Sequence, residues 1–165
     1  SLTGGAQPKW IFDLTSTQTC AGSSPLILPQ YRYGGLGVRG NRAWDHVADN
    51  PTRFLTANGV SDRQQAHATR ARWCYLGGQV EGTQAGLAIL GHPNNFRAPQ
   101  PMRVHPKEPF LNFAPQQFGD MAIQPNRPYV SRYRFVTLDG APNSAELARI
   151  WEDFANPPQV NTIEK

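Results

Sequence analysis

Cysteine is scarce in this chain of 165 residues, which contains only Cys20 and Cys74. Two isolated cysteines exclude a framework of several disulfides and the CxxC pairs of a cysteine-based zinc site. A single bridge between them remains open. Cys74 lies in an apolar stretch, where a free cysteine commonly behaves as a small hydrophobic residue, and this favours the unpaired state.

Long apolar runs are also missing, because no stretch approaches the roughly 20 residues that a membrane-spanning helix needs. The sequence has no basic block either: 13 of its 16 lysine and arginine residues are arginines, spread along the chain. The net charge of +4 is therefore a weak reason to expect nucleic acid. Residues 1–8 lack the basic and apolar parts of an intact signal peptide. We expect neither a membrane span nor a nucleic-acid partner.

Glycine and proline are abundant instead, with 15 of each scattered between short apolar runs. This distribution is typical of a β protein with many turns. The length suits one hydrophobic core, so we predict a single domain over residues 1–165. The predicted fold is mostly β, an antiparallel β-sandwich with one amphipathic helix near its C-terminal end.

Strand signals recur along the chain. Residues 10–14 alternate large apolar side chains, and the strand-like pattern continues to Cys20. Two apolar runs at 71–76 and 85–90 predict an antiparallel hairpin, and residues 129–138 alternate over the longest predicted strand. The polar region 41–68 is interpreted as long loops around one short strand.

The helix is predicted over residues 143–156. Asn143 can cap it, and Glu146 occupies the third helical position, as in a capping box. An apolar stripe follows at helical spacing, formed by Leu147, Ile150, Trp151 and Phe154. Such a stripe is the ordinary way in which a surface helix packs on a core, so we assign it no function. Two prolines end the helix and leave 157–165 as a tail.

A glycine-rich segment covers residues 31–40 and has two open interpretations. Its four glycines permit positive φ or a close backbone approach, as in a bulged strand or in a binding loop. Tyr31, Tyr33 and Arg39 belong to this segment and could line a groove.

Polar loops supply the other candidate residues. Trp44, Asp45 and His46 combine an aromatic face, a carboxylate and an imidazole, which is what a sugar site uses, although an ordinary loop with one tucked tryptophan fits as well. His92, Asn95 and Arg97 directly follow a predicted strand, where binding loops often lie; asparagines there also form turns with their own backbone.

Motifs for metals and nucleophiles are absent. The four histidines form neither HxH nor HExxH, and no GxSxG or SxxK occurs. We predict no metal and no cofactor.

Several segments together resemble a known family: residues 33–40, 71–74, 86–99 and 133–135. The chain is similar to the C-terminal part of the PmoA-like (DUF6807-type) family of bacterial β-sandwich proteins, over roughly residues 10–158. The resemblance implies part of a mutarotase-like supersandwich and a sugar ligand, by analogy of fold. It also favours a periplasmic or secreted protein. The family's methane-oxygenase label refers to a membrane subunit, which a chain without a membrane span does not match.

Typical members of that family are about twice as long, and their N-terminal half carries a histidine-rich stretch that this sequence lacks. The resemblance therefore implies a second chain or domain, or self-association that covers an open sheet edge.

Two functions stay open. The first is a sugar-active hydrolase, lyase or epimerase, with His46 or His92 as general acid or base and Asp45 as partner. In it, Arg39 or Arg97 would stabilise negative charge. The second is a non-catalytic glycan-binding or assembly domain.

Overall fold

The computed structural model describes residues 9–44 and 52–158. Within these ranges the chain is mostly β, as the sequence predicts. The strands are β1 (Ile11–Gln18), β2 (Leu26–Leu28), β3 (Leu36–Arg39), β4 (Arg53–Thr56), β5 (Trp73–Val80), β6 (Thr83–Gly91), β7 (Met102–Val104), β8 (Phe110–Phe113), β9 (Met121–Ile123) and β10 (Tyr129–Asp139). The α-helices are α1 (Arg63–Ala66) and α2 (Ser144–Ala155), and short 3-10 turns cover Arg42–Trp44 and Pro115–Phe118.

The strands form three antiparallel sheets. The largest has the order β1-β10-β6-β5-β4, the second β3-β8-β7, and a two-stranded sheet joins β2 to β9. The five-stranded and three-stranded sheets pack face to face through a shared core. Its buried members include Cys74, Leu76, Ile89 and Phe135 from the large sheet and Met102, Val104, Leu111 and Phe113 from the smaller one.

The predicted hairpin is present as β5 and β6 and is longer than predicted. Residues 77–84 separate the two predicted runs, but the strands pair through this segment and turn only at Glu81 and Gly82. Both turn residues have positive φ, 51° and 78°, as a two-residue type I′ turn requires. Gly77 and Gly86 leave room for the ring of Tyr75.

The predicted C-terminal helix is confirmed as α2, capped by Asn143, whose side chain accepts the backbone N–H of Glu146 at 3.1 Å. It packs on the outer face of the large sheet, so this sheet is buried on both sides at its centre. The contacting residues are Leu147, Ile150 and Phe154 on the helix and Trp73, Leu90, Val136 and Leu138 on the strands.

The first strand differs from its prediction. The alternation of large apolar residues is typical of a half-buried strand, yet most of β1 is exposed, and Phe12 keeps 51% of its surface accessible. β1 lies at the end of the large sheet, and none of its residues joins the core between the two sheets. Its inward face therefore borders open space rather than the opposing sheet.

Two remaining features concern cysteines and membranes. Cys20 and Cys74 are both free, and burial raises the pKa of the Cys74 thiol. Among the described residues, no helix is long and apolar enough to cross a bilayer.

Candidate functional site

An open cleft lies along the inward face of β1. Its volume is about 310 Å³, and we name it the β1 cleft. Its polar lining consists of Ser16, Gln18, Gln116, Tyr129, Ser131 and Tyr133. Three leucines, Met121, Pro115 and the glycines Gly34 and Gly35 form the rest of its walls. The cleft thus combines hydroxyl and amide groups with aromatic and aliphatic surface.

Strand register builds the floor of this cleft. β1 and β10 pair so that Ser16 stands opposite Ser131 and Gln18 opposite Tyr129. Because alternate residues of a strand share a face, these pairs point to the same side as Phe12 and its partner in β10. The cleft floor is therefore a direct consequence of the alternation along both strands.

The glycine-rich segment forms one wall of the cleft. Gly34 and Gly35 have φ of 125° and 71°. A Cβ at Gly34 would collide with the side chain of Gln116, and one at Gly35 with the carbonyl oxygen of Phe113. Gln116 Nε2 also donates a hydrogen bond to the carbonyl oxygen of Tyr33 at 2.6 Å. The structure shows a close backbone approach just before β3 that lines a cavity, and the role of this segment as a binding loop stays a prediction.

Two tyrosines line one end of the cleft, and their hydroxyl groups differ in hydrogen bonding. Tyr133 Oη donates to Gln100 Oε1 at 2.7 Å, and burial raises the pKa of Tyr133. Burial also raises the pKa of Tyr129, an effect that nearby Gln100 and Ser131 partly oppose. The Tyr129 hydroxyl nevertheless has no hydrogen bond of acceptable geometry within the described residues. Both phenols stay protonated at neutral pH; the Tyr133 proton is donated to Gln100, so the Tyr129 hydroxyl is the one that can donate to a ligand.

One group of predicted site residues lies around Phe110. Arg39 stacks its guanidinium on the Phe110 ring, 5.5 Å from the centroid, and forms an ion pair with Glu108. Tyr33 lies 6.1 Å from the same ring and has the Arg103 guanidinium over its own ring at 5.2 Å. These contacts hold Tyr33 and Arg39 against β8.

Trp44 is placed in the core. Only 7% of its surface is exposed, and its Nε1 donates to the carbonyl oxygen of Gln79 at 2.9 Å. Gly40 and Gly78 leave the space that the indole fills. Trp44 and Arg39 border a shared, mainly apolar cavity of about 280 Å³.

The next two residues, Asp45 and His46, lie outside the described residues. Their predicted catalytic role therefore stays a prediction.

The second group follows β6, and two of its members hold backbone. Asn95 Nδ2 donates to the carbonyl oxygen of Arg132 at 2.8 Å, while Asn95 Oδ1 accepts the Arg132 N–H at 2.7 Å. Arg97 donates to the carbonyl oxygens of Pro115, Gly119 and Asp120 at 2.7 to 2.9 Å. These bonds fasten the loop after β6 to β10 and to the segment before β9.

His92 is the titratable member of that group. Its Nδ1 accepts the backbone N–H of Asn94 at 3.1 Å, and its ring meets Phe154 edge-on at 5.0 Å. Burial, aided by the positive charge of Arg132, lowers the pKa of His92. The imidazole is therefore mainly neutral at pH 7. No hydrogen bond or ring contact joins this group to Tyr33, Arg39 or Trp44 in the described part of the chain.

Sequence reasoning missed most of the cleft. It identified the shared face of Tyr129, Ser131 and Tyr133, but not that Ser16 and Gln18 lie beside them. The alternation after Phe12 was the available signal, since it continues through the polar end of β1. Histidine, cysteine and acidic residues form no group of three that could hold a metal within residues 9–44 and 52–158.

Comparison with known proteins gives one match. No curated protein and no solved structure matches the chain. A family model described as a family of unknown function (DUF6807) matches residues 2–152, which is most of the chain. The protein therefore belongs to the DUF6807 family, whose function is unknown.

Proposed function

We propose that this protein binds a carbohydrate in the β1 cleft. The observation that carries the proposal is the composition of the cleft, in which hydroxyl and amide groups alternate with aromatic and aliphatic surface. A pyranose ring needs both, because its hydroxyls form hydrogen bonds and its C–H faces pack on apolar surface. Its volume of about 310 Å³ suits one or two sugar units.

Phe12 supplies the aromatic platform at the mouth of the cleft. It lies on the same face of β1 as Leu14 and Ser16, which line the cavity. One face of its ring is covered by Phe135, whereas about half of the side chain remains exposed. A sugar ring that stacks on Phe12 would have its hydroxyls within the polar part of the cleft.

The PmoA-like resemblance supports the same ligand class. If the chain corresponds to the C-terminal part of such a protein, its sandwich is one half of a mutarotase-like assembly. A periplasmic or secreted location, where polysaccharide fragments are met, is part of the proposal.

The test is a glycan array, followed by calorimetric titration of the best ligand. Gln18→Ala should weaken binding by about three- to tenfold, the loss expected for one or two hydrogen bonds. Thr17→Ala is the matched control, because Thr17 lies on the same strand but on its opposite face. A blank array, or equal affinity of both variants and the parent, would refute the proposal.

Catalysis is a second candidate, favoured by the lowered pKa of His92. A neutral imidazole can act as general base in a sugar hydrolase, lyase or epimerase, provided that Nδ1 exchanges its hydrogen bond from the Asn94 N–H for the substrate proton. Oligosaccharides should then be turned over, and His92→Ala should slow the reaction at least a hundredfold. Unchanged turnover in that variant would exclude the role.

Assembly is the alternative that the edge of the large sheet favours. The outer side of β1 pairs with no strand of the described residues, and Trp10 beside it is 76% exposed. A second chain or a second copy could add a strand there. Light scattering should then show a dimer that Trp10→Lys dissociates; a monomer at every concentration would count against it.

A further inference from the structure

A second cavity adjoins the β1 cleft at Tyr129, which borders both. Its volume is about 440 Å³. It lies beside the first residues of β10, between the loop after β6 and the turn after β9. The side chains used below are Asn94, Phe96, Gln124, Arg127 and Arg132. We name it the arginine cavity.

The backbones that carry its two arginines are fixed. Asn95 holds both the N–H and the carbonyl oxygen of Arg132 in hydrogen bonds of 2.7 and 2.8 Å. Arg127 closes a turn by donating its N–H to the carbonyl oxygen of Gln124 at 3.2 Å, with Asn126 at a positive φ of 58°. The backbone atoms that carry the two arginine side chains therefore have defined positions at the rim of one cavity.

Neither arginine takes part in an ion pair with the described residues. Arg134, two positions along the same strand, forms two hydrogen bonds to the carboxylate of Asp13 at 2.7 and 2.8 Å. Arg127 and Arg132 have no such partner among residues 9–44 and 52–158, and both side chains are exposed. The arginine cavity therefore presents two positive charges to a ligand.

The remaining lining suits a sugar ring. Phe96 is 43% exposed, and its ring is held by the guanidinium of Arg97 at 4.8 Å. The amide side chains of Asn94 and Gln124 can donate and accept hydrogen bonds from hydroxyls. An aromatic face, two amides and two guanidinium groups match a pyranose ring that carries a carboxylate, because guanidinium pairs with carboxylate through parallel N–H···O bonds.

We propose that the arginine cavity binds the carboxylate of a uronic acid unit, so that the preferred ligand of this protein is an acidic oligosaccharide. The inference rests on the proposed carbohydrate binding and adds the charge of the ligand to it. The β1 cleft takes one sugar unit, and the arginine cavity takes the carboxylate of another.

The experiment compares an oligogalacturonate with its carboxyl-reduced counterpart by calorimetric titration. The parent protein should bind the acidic ligand at least about tenfold more tightly. Arg127→Gln and Arg132→Gln should each weaken binding of the acidic ligand by about tenfold or more, the loss expected for a hydrogen bond to a charged group. Both variants should bind the reduced ligand as the parent does.

Arg149→Gln is the matched control, since Arg149 is an exposed arginine on α2, beside Asp153 at 4.0 Å. It should leave both affinities unchanged. Thermal unfolding of each variant checks that the fold is intact, as expected for exposed side chains.

Each contrary outcome has a separate meaning. Equal affinity of the parent for both ligands would overturn the arginine site and leave carbohydrate binding intact. Unchanged acidic binding in both arginine variants would do the same. Equally tight, arginine-dependent binding of a sulfated oligosaccharide or of inorganic phosphate would replace the uronate assignment by a general anion site. Binding of neither ligand, with a blank glycan array, would refute the carbohydrate proposal itself.

Discussion

Phe12 in β1 lies flat on Phe135 in β10, with ring centroids 4.6 Å apart and ring planes within 5° of parallel. Phe135 belongs to the core and is 6% exposed, whereas Phe12 is half exposed. The stack therefore extends the core to the mouth of the β1 cleft. An exposed aromatic ring held in one orientation is a preorganised surface for a flat ligand.

Replacing Phe12 tests that surface. Phe12→Ala removes the stacking contact and should lower the free energy of unfolding by about 1 kcal/mol, the value typical of an aromatic pair. It should also weaken saccharide binding by about fivefold or more, as loss of a stacking ring does. Urea denaturation and calorimetric titration measure the two effects. Ile11→Ala, on the opposite face of β1, should leave the affinity unchanged, and full affinity in Phe12→Ala would contradict the assignment.

Gly35 is expected to be essential to the wall of the cleft. With φ at 71° and the Phe113 carbonyl oxygen in the place of a Cβ, Gly35→Ala should lower the free energy of unfolding by about 1–3 kcal/mol. Gly22 has open space around it, so Gly22→Ala should have little effect. If the two variants unfold at the same urea concentration, the close approach does not contribute as described.

Asn95 is predicted to be a stabilising residue. Asn95→Ala removes two hydrogen bonds to the backbone of Arg132 and leaves its partly buried N–H without that partner, which should cost about 1–3 kcal/mol in the free energy of unfolding. Asn94→Ala, at the exposed neighbouring position, is the control and should stay within about 0.5 kcal/mol of the parent. A stable Asn95→Ala variant that has lost only ligand binding would instead indicate that Asn95 contacts the ligand.

The free energy of unfolding should depend on pH through three histidines. His67, His92 and His105 all have a pKa below the ordinary 6.5, mainly through burial and further through neighbouring arginines, although Glu108 opposes the shift at His105. The unfolded chain then binds more protons than the folded one as the pH falls below about 6.5. The free energy of unfolding therefore has its full value above about pH 6.5 and falls progressively as the pH is lowered below it.

Urea denaturation at pH 7.5 and 5.5 measures this loss. The free energy of unfolding should be lower at pH 5.5, and His92→Gln should show a smaller difference between the two conditions. Equal or greater stability at pH 5.5 would contradict the direction of the three shifts.

Local signals in the sequence predicted a large part of the fold. The β5–β6 hairpin, β10 and α2 each depend on alternation, turn residues or a cap that lie within about a dozen neighbouring positions. Gly77 lies between the two predicted runs and Gly86 within the second; both leave room for the ring of Tyr75, a reason that a single-residue pattern does not show.

The site depends on contacts between distant parts of the chain. Ser16 reaches Ser131 only through the pairing of β1 with β10, and no local pattern specifies that partner. Trp44 fills space left by Gly78, 34 positions away along the chain. Arg97 forms its bonds with backbone carbonyls, which carry no sequence signature. Residue types alone therefore suggested side chains suited to a sugar-binding site, but they did not locate the cleft.

The most direct test of carbohydrate binding in the β1 cleft is an NMR titration of the isotope-labelled protein with the best glycan ligand. We expect saturable shifts of the backbone amides of Ser16, Gln18, Gly34, Gly35 and Ser131, with those of the distant hairpin turn at Glu81 and Gly82 unchanged. Saturable shifts confined to residues away from the cleft, or no shifts with any glycan, would contradict the account.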